Sequence, residues 1–292
     1  MFVQLSKNNI KFELLQLNFQ AFSGYMRRQL LSYKDSVICY YRFGKGPIPV
    51  ICFHGYGENA RSFEFLGNGL GSQYTFHAID LPYHGETVWK QGLKFSLNDL
   101  WQILSRLPLD QDSKPVLLGF SLGGRVALSL YESRPAVFRK IVLLAPDGLV
   151  INPWYWLSTQ TFIGNRLFRF TMKNPGWFFL FLKGMNRAGR VNASVYKFVN
   201  AYIEDPALRI SLYQRWTVLR KLKPGLAHIK SLIREYKTPV RLIYGKYDRI
   251  ILSSRGEKFR NGIAEYCDIE ILNAGHQVLQ SKYLPAIETA LK

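Results

Sequence analysis

Short apolar runs rich in Val, Ile, Leu and aromatic residues, each closed by Gly, Pro or Asp, recur along the chain. They fall at Val37–Tyr41, Val50–Phe53, Thr75–Ile79, Val116–Leu118, Ile141–Leu144, Val240–Tyr244 and Ile269–Leu272. Apolar runs of this length bounded by turn formers predict buried strands. From Val116 onward, segments able to form helices lie between the runs, among them Gly123–Ser133 and Ser253–Ala264. Strands alternating with helices imply parallel pairing, right-handed crossovers and a sheet covered on both faces.

The alternation fails once. Between about residues 151 and 234 no strand pattern appears, and aromatic and basic residues crowd together, so this stretch reads as a helical insertion. The expected organisation is a core formed by residues 1–150 and 235–292, with 151–234 inserted as a helical cap. No internal repeat or low-complexity tract interrupts it.

Composition and charge refine this picture. A chain of 292 residues with 48% hydrophobic content can bury a substantial core. The net charge of +19 is unevenly spread: the insertion holds fourteen Lys and Arg against only Glu204 and Asp205, or +12 of the total. Such a surface favours an anionic substrate or an acidic membrane surface, or it is simply a solvated face. No nucleic-acid motif accompanies the charge, so nucleic acid is not an expected partner.

Cys39, Cys52 and Cys267 are odd in number and widely spaced, which suits free core thiols and a reducing compartment. Charged residues interrupt the N-terminal stretch, and the most lipid-like run, 177–182, is bracketed by Lys173 and Lys183. A soluble, cytoplasmic protein is therefore expected.

The candidate chemistry begins at Gly119-Phe-Ser121-Leu-Gly123, a GxSxG string between an apolar strand and a helix-compatible segment. In that context the serine sits on a sharp turn that thrusts its hydroxyl out at the sheet edge, and small residues at 119 and 123 avoid collision. A serine hydroxyl needs a neighbouring base. His276 follows the last strand and is the candidate; His77 lies in a strand, His228 in the insertion, His84 in a loop, and His54 in a glycine-rich turn that it is expected to hold. Asp248 follows the preceding strand and can orient His276, completing the chain order Ser, Asp, His. Asp147, after the strand one step earlier, is the alternative acid. The backbone N–H groups of Leu122 and Tyr56 are the candidate oxyanion hole.

Taken together, HGYG at 54–57, DLPYHGET at 80–87, GFSLGG at 119–124, YGKYD at 244–248 and AGH at 274–276 resemble the α/β-hydrolase superfamily. The resemblance implies an eight-stranded, mostly parallel sheet flanked by helices, a helical cap after the sixth strand, and neither cofactor nor metal. Its epoxide hydrolases and haloalkane dehalogenases carry Asp at the nucleophile position, so Ser121 points away from them. SLGGR at 121–125 also resembles the pyruvate-eliminating synthase of the menaquinone pathway, which makes Arg125 a candidate substrate contact.

The reading that follows is a serine hydrolase acting through an acyl-enzyme on a small ester or thioester, anionic or lipophilic in character. Two alternatives stand beside it. One is a carbon-carbon hydrolase or pyruvate-eliminating synthase acting on an acidic substrate; the other is a non-catalytic binding or membrane-surface protein on the same scaffold. The sequence leaves the oligomeric state open.

Overall fold

The structure, a computed structural model, describes residues 26–110, 113–150, 153–189 and 203–292. The N-terminal stretch read above, together with Ile151, Asn152 and two of the insertion's cations, Arg190 and Lys197, lies outside the described residues.

Eight strands form one sheet among the described residues: β1 (Met26–Tyr33), β2 (Ser36–Phe43), β3 (Ile48–Phe53), β4 (Tyr74–Ile79), β5 (Val116–Phe120), β6 (Lys140–Leu144), β7 (Val240–Gly245) and β8 (Cys267–Leu272). Their order is β1-β2-β4-β3-β5-β6-β7-β8. The pairs β1/β2 and β2/β4 are antiparallel, and every pair from β4/β3 to β7/β8 is parallel. β3 to β6 are buried along most of their length, which is why they read as apolar runs rather than alternating ones.

Ten α-helices accompany the strands among the described residues: α1 (Glu64–Leu70), α2 (Leu97–Leu104), α3 (Leu122–Ser133), α4 (Pro153–Gln160), α5 (Phe162–Lys173), α6 (Gly176–Arg187), α7 (Pro206–Val218), α8 (Leu226–Tyr236), α9 (Ser253–Arg260) and α10 (Leu284–Leu291). Successive strand residues point to opposite faces and feed two cores. Ile51, Phe53, Leu117, Leu143 and Leu242 pack with residues of α2, α3 and α8. Val50, Cys52, Leu118, Leu144 and Ile243 pack on the other face with α1 and α10. All three cysteines are buried and free.

Two departures from the sequence reading have simple causes. β1 has no apolar run because it is an edge strand whose Arg27, Arg28 and Leu30 face solvent, and charge on an edge discourages pairing with another chain. The helix expected at Ser253–Ala264 stops at Arg260, because Gly262 follows with φ +83°, a conformation incompatible with helix.

The stretch between β6 and β7 contains α4 to α8 and no strand among its described residues. α5 packs against α4 and α7, and α6 packs on α5. No helix among the described residues is long and apolar enough to cross a membrane.

Candidate active site

β5 ends in a turn that puts Ser121 at φ 48° and ψ −114°, a backbone conformation that costs energy for any residue with a side chain. The surrounding glycines make it attainable. A β-carbon on Gly123 would lie 1.8 Å from the Phe53 carbonyl oxygen, and one on Gly119 would lie 2.5 Å from that of Gly123. Strand and helix thus approach too closely for any other residue, and α3 starts immediately after the serine with Leu122 as its first residue. The Gly124 N–H already donates to the Ser121 carbonyl at 2.9 Å, so the Leu122 N–H is the helix-start donor nearest the serine.

His276 lies in the loop after β8, and Asp248 in the loop after β7. The two strands run parallel, which delivers both loops to the same edge of the sheet as Ser121. His276 Nε2 is 3.1 Å from Ser121 Oγ, and His276 Nδ1 is 2.8 Å from Asp248 Oδ2. The other carboxylate oxygen of Asp248 accepts from the amides of Ile250 (2.7 Å) and Ile251 (2.9 Å), and the side chain is fully buried. A carboxylate held at both oxygens requires the histidine to carry its proton on Nδ1, which leaves Nε2 free to accept from the serine hydroxyl.

Asp147, the alternative acid, is elsewhere engaged. Its Oδ2 lies 2.6 Å from Arg125 and its Oδ1 accepts from the Gly148 amide. Arg125 also stacks over the Tyr155 ring at 4.3 Å. Burial works against the charge on Arg125, but Asp147 and Tyr155 beside it more than offset that and raise its pKa.

The turn after β3 carries His54, Gly55, Tyr56 and Gly57. The Leu81 amide donates to His54 Nε2 at 3.1 Å, so His54 holds its proton on Nδ1 and donates to the Gly55 carbonyl at 2.8 Å. Burial pushes its pKa down to about 4. This histidine is a neutral brace between two loops. His84 sits beside it with ring centres 5.0 Å apart, pushed down to about 2 by burial and by its neighbours His54 and Arg215. Asp80 joins the same loops from below, accepting from the amides of Ala60 and Glu86. His77 is buried in β4, and His228 pairs with Glu132 at an exposed site 3.3 Å away.

Ser121 opens onto a cavity of about 520 Å³ whose wall includes Tyr56, Leu122, Arg125 and Asp147 from the core. Tyr155, Trp156, Leu212, Arg215 and Trp216 from α4 and α7 close its other side. Sequence reasoning did not find Arg215. Its Nε donates to the Tyr83 carbonyl at 2.8 Å and its guanidinium lies 5.7 Å from the Tyr56 ring centre, tying α7 to the turn after β3. Nor did it find the bond from Gln277 to Glu58 (3.0 Å), which ties the histidine loop to that turn. Neither has a local sequence signal, because each joins segments more than a hundred residues apart. Among the described residues no cluster of His, Cys, Asp and Glu could hold a metal ion.

Residues 48–282 match a family model described as the alpha/beta hydrolase fold. A pimeloyl-[acyl-carrier protein] methyl ester esterase of Aeromonas hydrophila is 25% identical over 218 residues, covering 72% of this chain and 80% of that protein. The enzyme of the same name from Aeromonas salmonicida is 29% identical over 125 residues, 42% of this chain and about half (48%) of that protein's length. Among solved structures, a thermophilic esterase from Thermogutta terrifontis matches with a TM-score of 0.65 at 17% identity, covering 91% of this chain and 98% of that one. At that identity the likeness is one of fold.

Proposed function

The chain belongs to the alpha/beta hydrolase fold family, and on that premise we propose that it hydrolyses a carboxylic ester or thioester through an acyl-enzyme on Ser121. The observation that carries the reading is the continuous hydrogen-bonded path from Ser121 Oγ through His276 to Asp248.

In the proposed reaction His276 Nε2 takes the hydroxyl proton as Ser121 Oγ attacks the carbonyl carbon. The oxygen that becomes negative is met by the N–H groups of Leu122 and Tyr56, the first at a helix start and the second in a braced turn. His276 then gives its proton to the leaving alcohol or thiol. Water, deprotonated by the same nitrogen, releases the acid and restores the serine. Asp248 keeps the imidazole in the required tautomer and stabilises its charged form.

The cavity supports a substrate with both an apolar and an anionic part. Tyr155, Trp156, Trp216, Leu222, Ile250 and Ile251 suit a medium-length acyl chain. Lys223 and Arg255 also line it, while the one carboxylate among the described wall residues, Asp147, is paired with Arg125. An excess of positive charge around an apolar pocket favours an acyl group borne on an anionic carrier, in keeping with the acyl-carrier esters named for the Aeromonas enzymes. Arg125 lines the same wall, paired with Asp147 through one nitrogen and stacked on Tyr155, while its buried Nε has no hydrogen-bond partner, so it stays a candidate contact for an anionic substrate group. The inserted helices act as a cap that shields the acyl-enzyme from bulk water. Three free buried thiols fit the proposed cytoplasmic location.

The test is hydrolysis of p-nitrophenyl esters from acetate to dodecanoate by the native chain and by Ser121→Ala, alongside labelling with a fluorophosphonate. Turnover should peak at a medium chain length and fall by about 10⁴-fold or more in the variant, which should also lose the label. Undiminished turnover or labelling in Ser121→Ala would overturn the assignment.

A further inference from the structure

The inserted helices α4, α5 and α6 leave an unusually large apolar surface in water. Ile163 is 79% exposed, Phe162 78%, Trp154 75% and Leu180 74%, and Leu157, Leu167, Phe170, Trp177 and Phe181 are exposed beside them. Single exposed apolar side chains are ordinary, but a cluster of this size on adjoining helices marks a surface built to be covered.

The helices are patterned for one kind of cover. On α5, Ile163, Leu167 and Phe170 recur at i, i+4 and i+7, so they share a face. Arg166, Arg169 and Lys173, at i, i+3 and i+7, form the next face, while Thr171 and Met172 turn inward. α6 repeats the arrangement: Trp177, Leu180 and Phe181 share an exposed face, Lys183 and Arg187 flank it, and Leu182 is buried. All five cations are exposed, and residues 153–189 contain no Asp or Glu. α5 and α6 therefore each have three stripes: one packed on the protein, one apolar and solvent-facing, one cationic, while α4 adds apolar surface only.

We infer that α4, α5 and α6 form a docking face for an anionic lipid bilayer, with the apolar stripes entering the acyl boundary and the cations meeting acidic headgroups. The charge argues against a second copy of the chain, because two such faces would bring ten cations together without a single carboxylate. The apolar stripes argue against an acidic protein, which would be met by the cations and would leave the aromatic and aliphatic side chains in water. A membrane interface satisfies both stripes at once. The face also adjoins the cavity mouth: Trp156, between exposed Trp154 and Leu157, lines the cavity, as do the exposed Val150 and Ile250. A lipophilic ester dissolved in the bilayer would then reach Ser121 along a continuous apolar path. Docking itself does not depend on the proposed triad.

The experiment is sedimentation of the full chain with vesicles of phosphatidylcholine alone or mixed with phosphatidylglycerol, at low salt and at about 0.5 M salt. The same assay is run on Ile163→Asp/Leu180→Asp and on Arg166→Glu/Arg169→Glu. These positions lie outside the cavity wall, so thermal melting and hydrolysis of a water-soluble ester serve as controls for folding. The native chain should partition to the anionic vesicles and only weakly to the neutral ones. Each double variant should lose about tenfold in partitioning, and high salt should weaken binding without abolishing it. The proposal is overturned if the native chain stays in solution with both vesicles, or if folded variants bind as tightly as the native chain. It is equally overturned if the face proves to be a dimer contact that Ile163→Asp/Leu180→Asp dissolves. Capture of an acidic carrier protein through the cations alone, with no vesicle binding, would likewise replace it.

Discussion

Gly245, at the end of β7, lies so close to Gly275 that a β-carbon on it would sit 1.9 Å from the Gly275 carbonyl oxygen. The backbones of the Asp248 loop and the His276 loop are therefore in direct contact, and the Tyr247 amide donates to the Ala274 carbonyl across the same seam at 2.8 Å. The hydrogen bond between Asp248 and His276 is set by this fit rather than by flexible side chains reaching for each other. Gly245→Ala should push the loops apart, lowering kcat about 10²-fold and destabilising the fold by about 1–3 kcal/mol. Ester turnover and urea unfolding measure the two effects; a variant with native values for both would show that the seam yields freely.

The two candidate acids make opposite predictions. Asp248→Asn leaves the shape intact but removes the charge that fixes the His276 tautomer, and kcat should fall about 10⁴-fold. Asp147→Asn weakens the pair with Arg125 at the cavity wall and should cost no more than about tenfold. Equal losses in the two variants, measured on one ester, would return the acid role to dispute.

Arg215 reaches from α7 to the Tyr83 carbonyl and over the Tyr56 ring, and so braces the turn whose amide is proposed to meet the oxyanion. Arg215→Ala should lower kcat about tenfold while changing KM little, because the amide is needed most in the transition state. Arg215→Lys, which keeps the charge and one donor, should recover part of the loss. A rise in KM alone would make Arg215 a substrate-binding residue instead.

Three histidines are buried and neutral: burial holds His54 and His77 at about 4 and His84 at about 2, against an ordinary value of 6.5. Below pH 6.5 the unfolded chain takes up protons that the folded chain refuses. Stability should thus be complete above that pH and decline as pH falls towards the folded values. The slope is about 1.4 kcal/mol per pH unit for each histidine. Urea unfolding from about pH 7.5 to pH 5 should show this decline before most carboxylates titrate. His77→Phe, remote from Ser121, should flatten it by one histidine's share, whereas an unchanged slope would mean that His77 does not contribute.

Much of the architecture was legible because it is local. Val50–Phe53, Val116–Leu118, Ile141–Leu144 and Val240–Tyr244 are buried runs whose pattern needs no knowledge of their neighbours. Ser121, Asp248 and His276 each stand in a short string after such a run, and parallel strands carry all three to one edge. β1 was invisible because an edge strand with Arg27 and Arg28 facing water has no apolar signature. The cavity wall was equally hidden. Tyr155, Arg215 and Trp216 share a cavity with Ser121 through the packing of helices whose aromatic content does not say which side chain faces inward.

The sheet order has a further consequence in the ribosome's timetable. Among the described strands β8 pairs with β7 alone, and together they carry the loops of Asp248 and His276. The chain emerges from its N-terminal side, so Ser121 is synthesised long before these strands, with α4 to α8 translated in between. A nascent chain halted before residue 240 contains Ser121 but neither Asp248 nor His276, the residues proposed to activate it. Competence would arrive in a single late event, when the final strand pair adds to β6, and an incomplete copy of this protein would be inert rather than unselective.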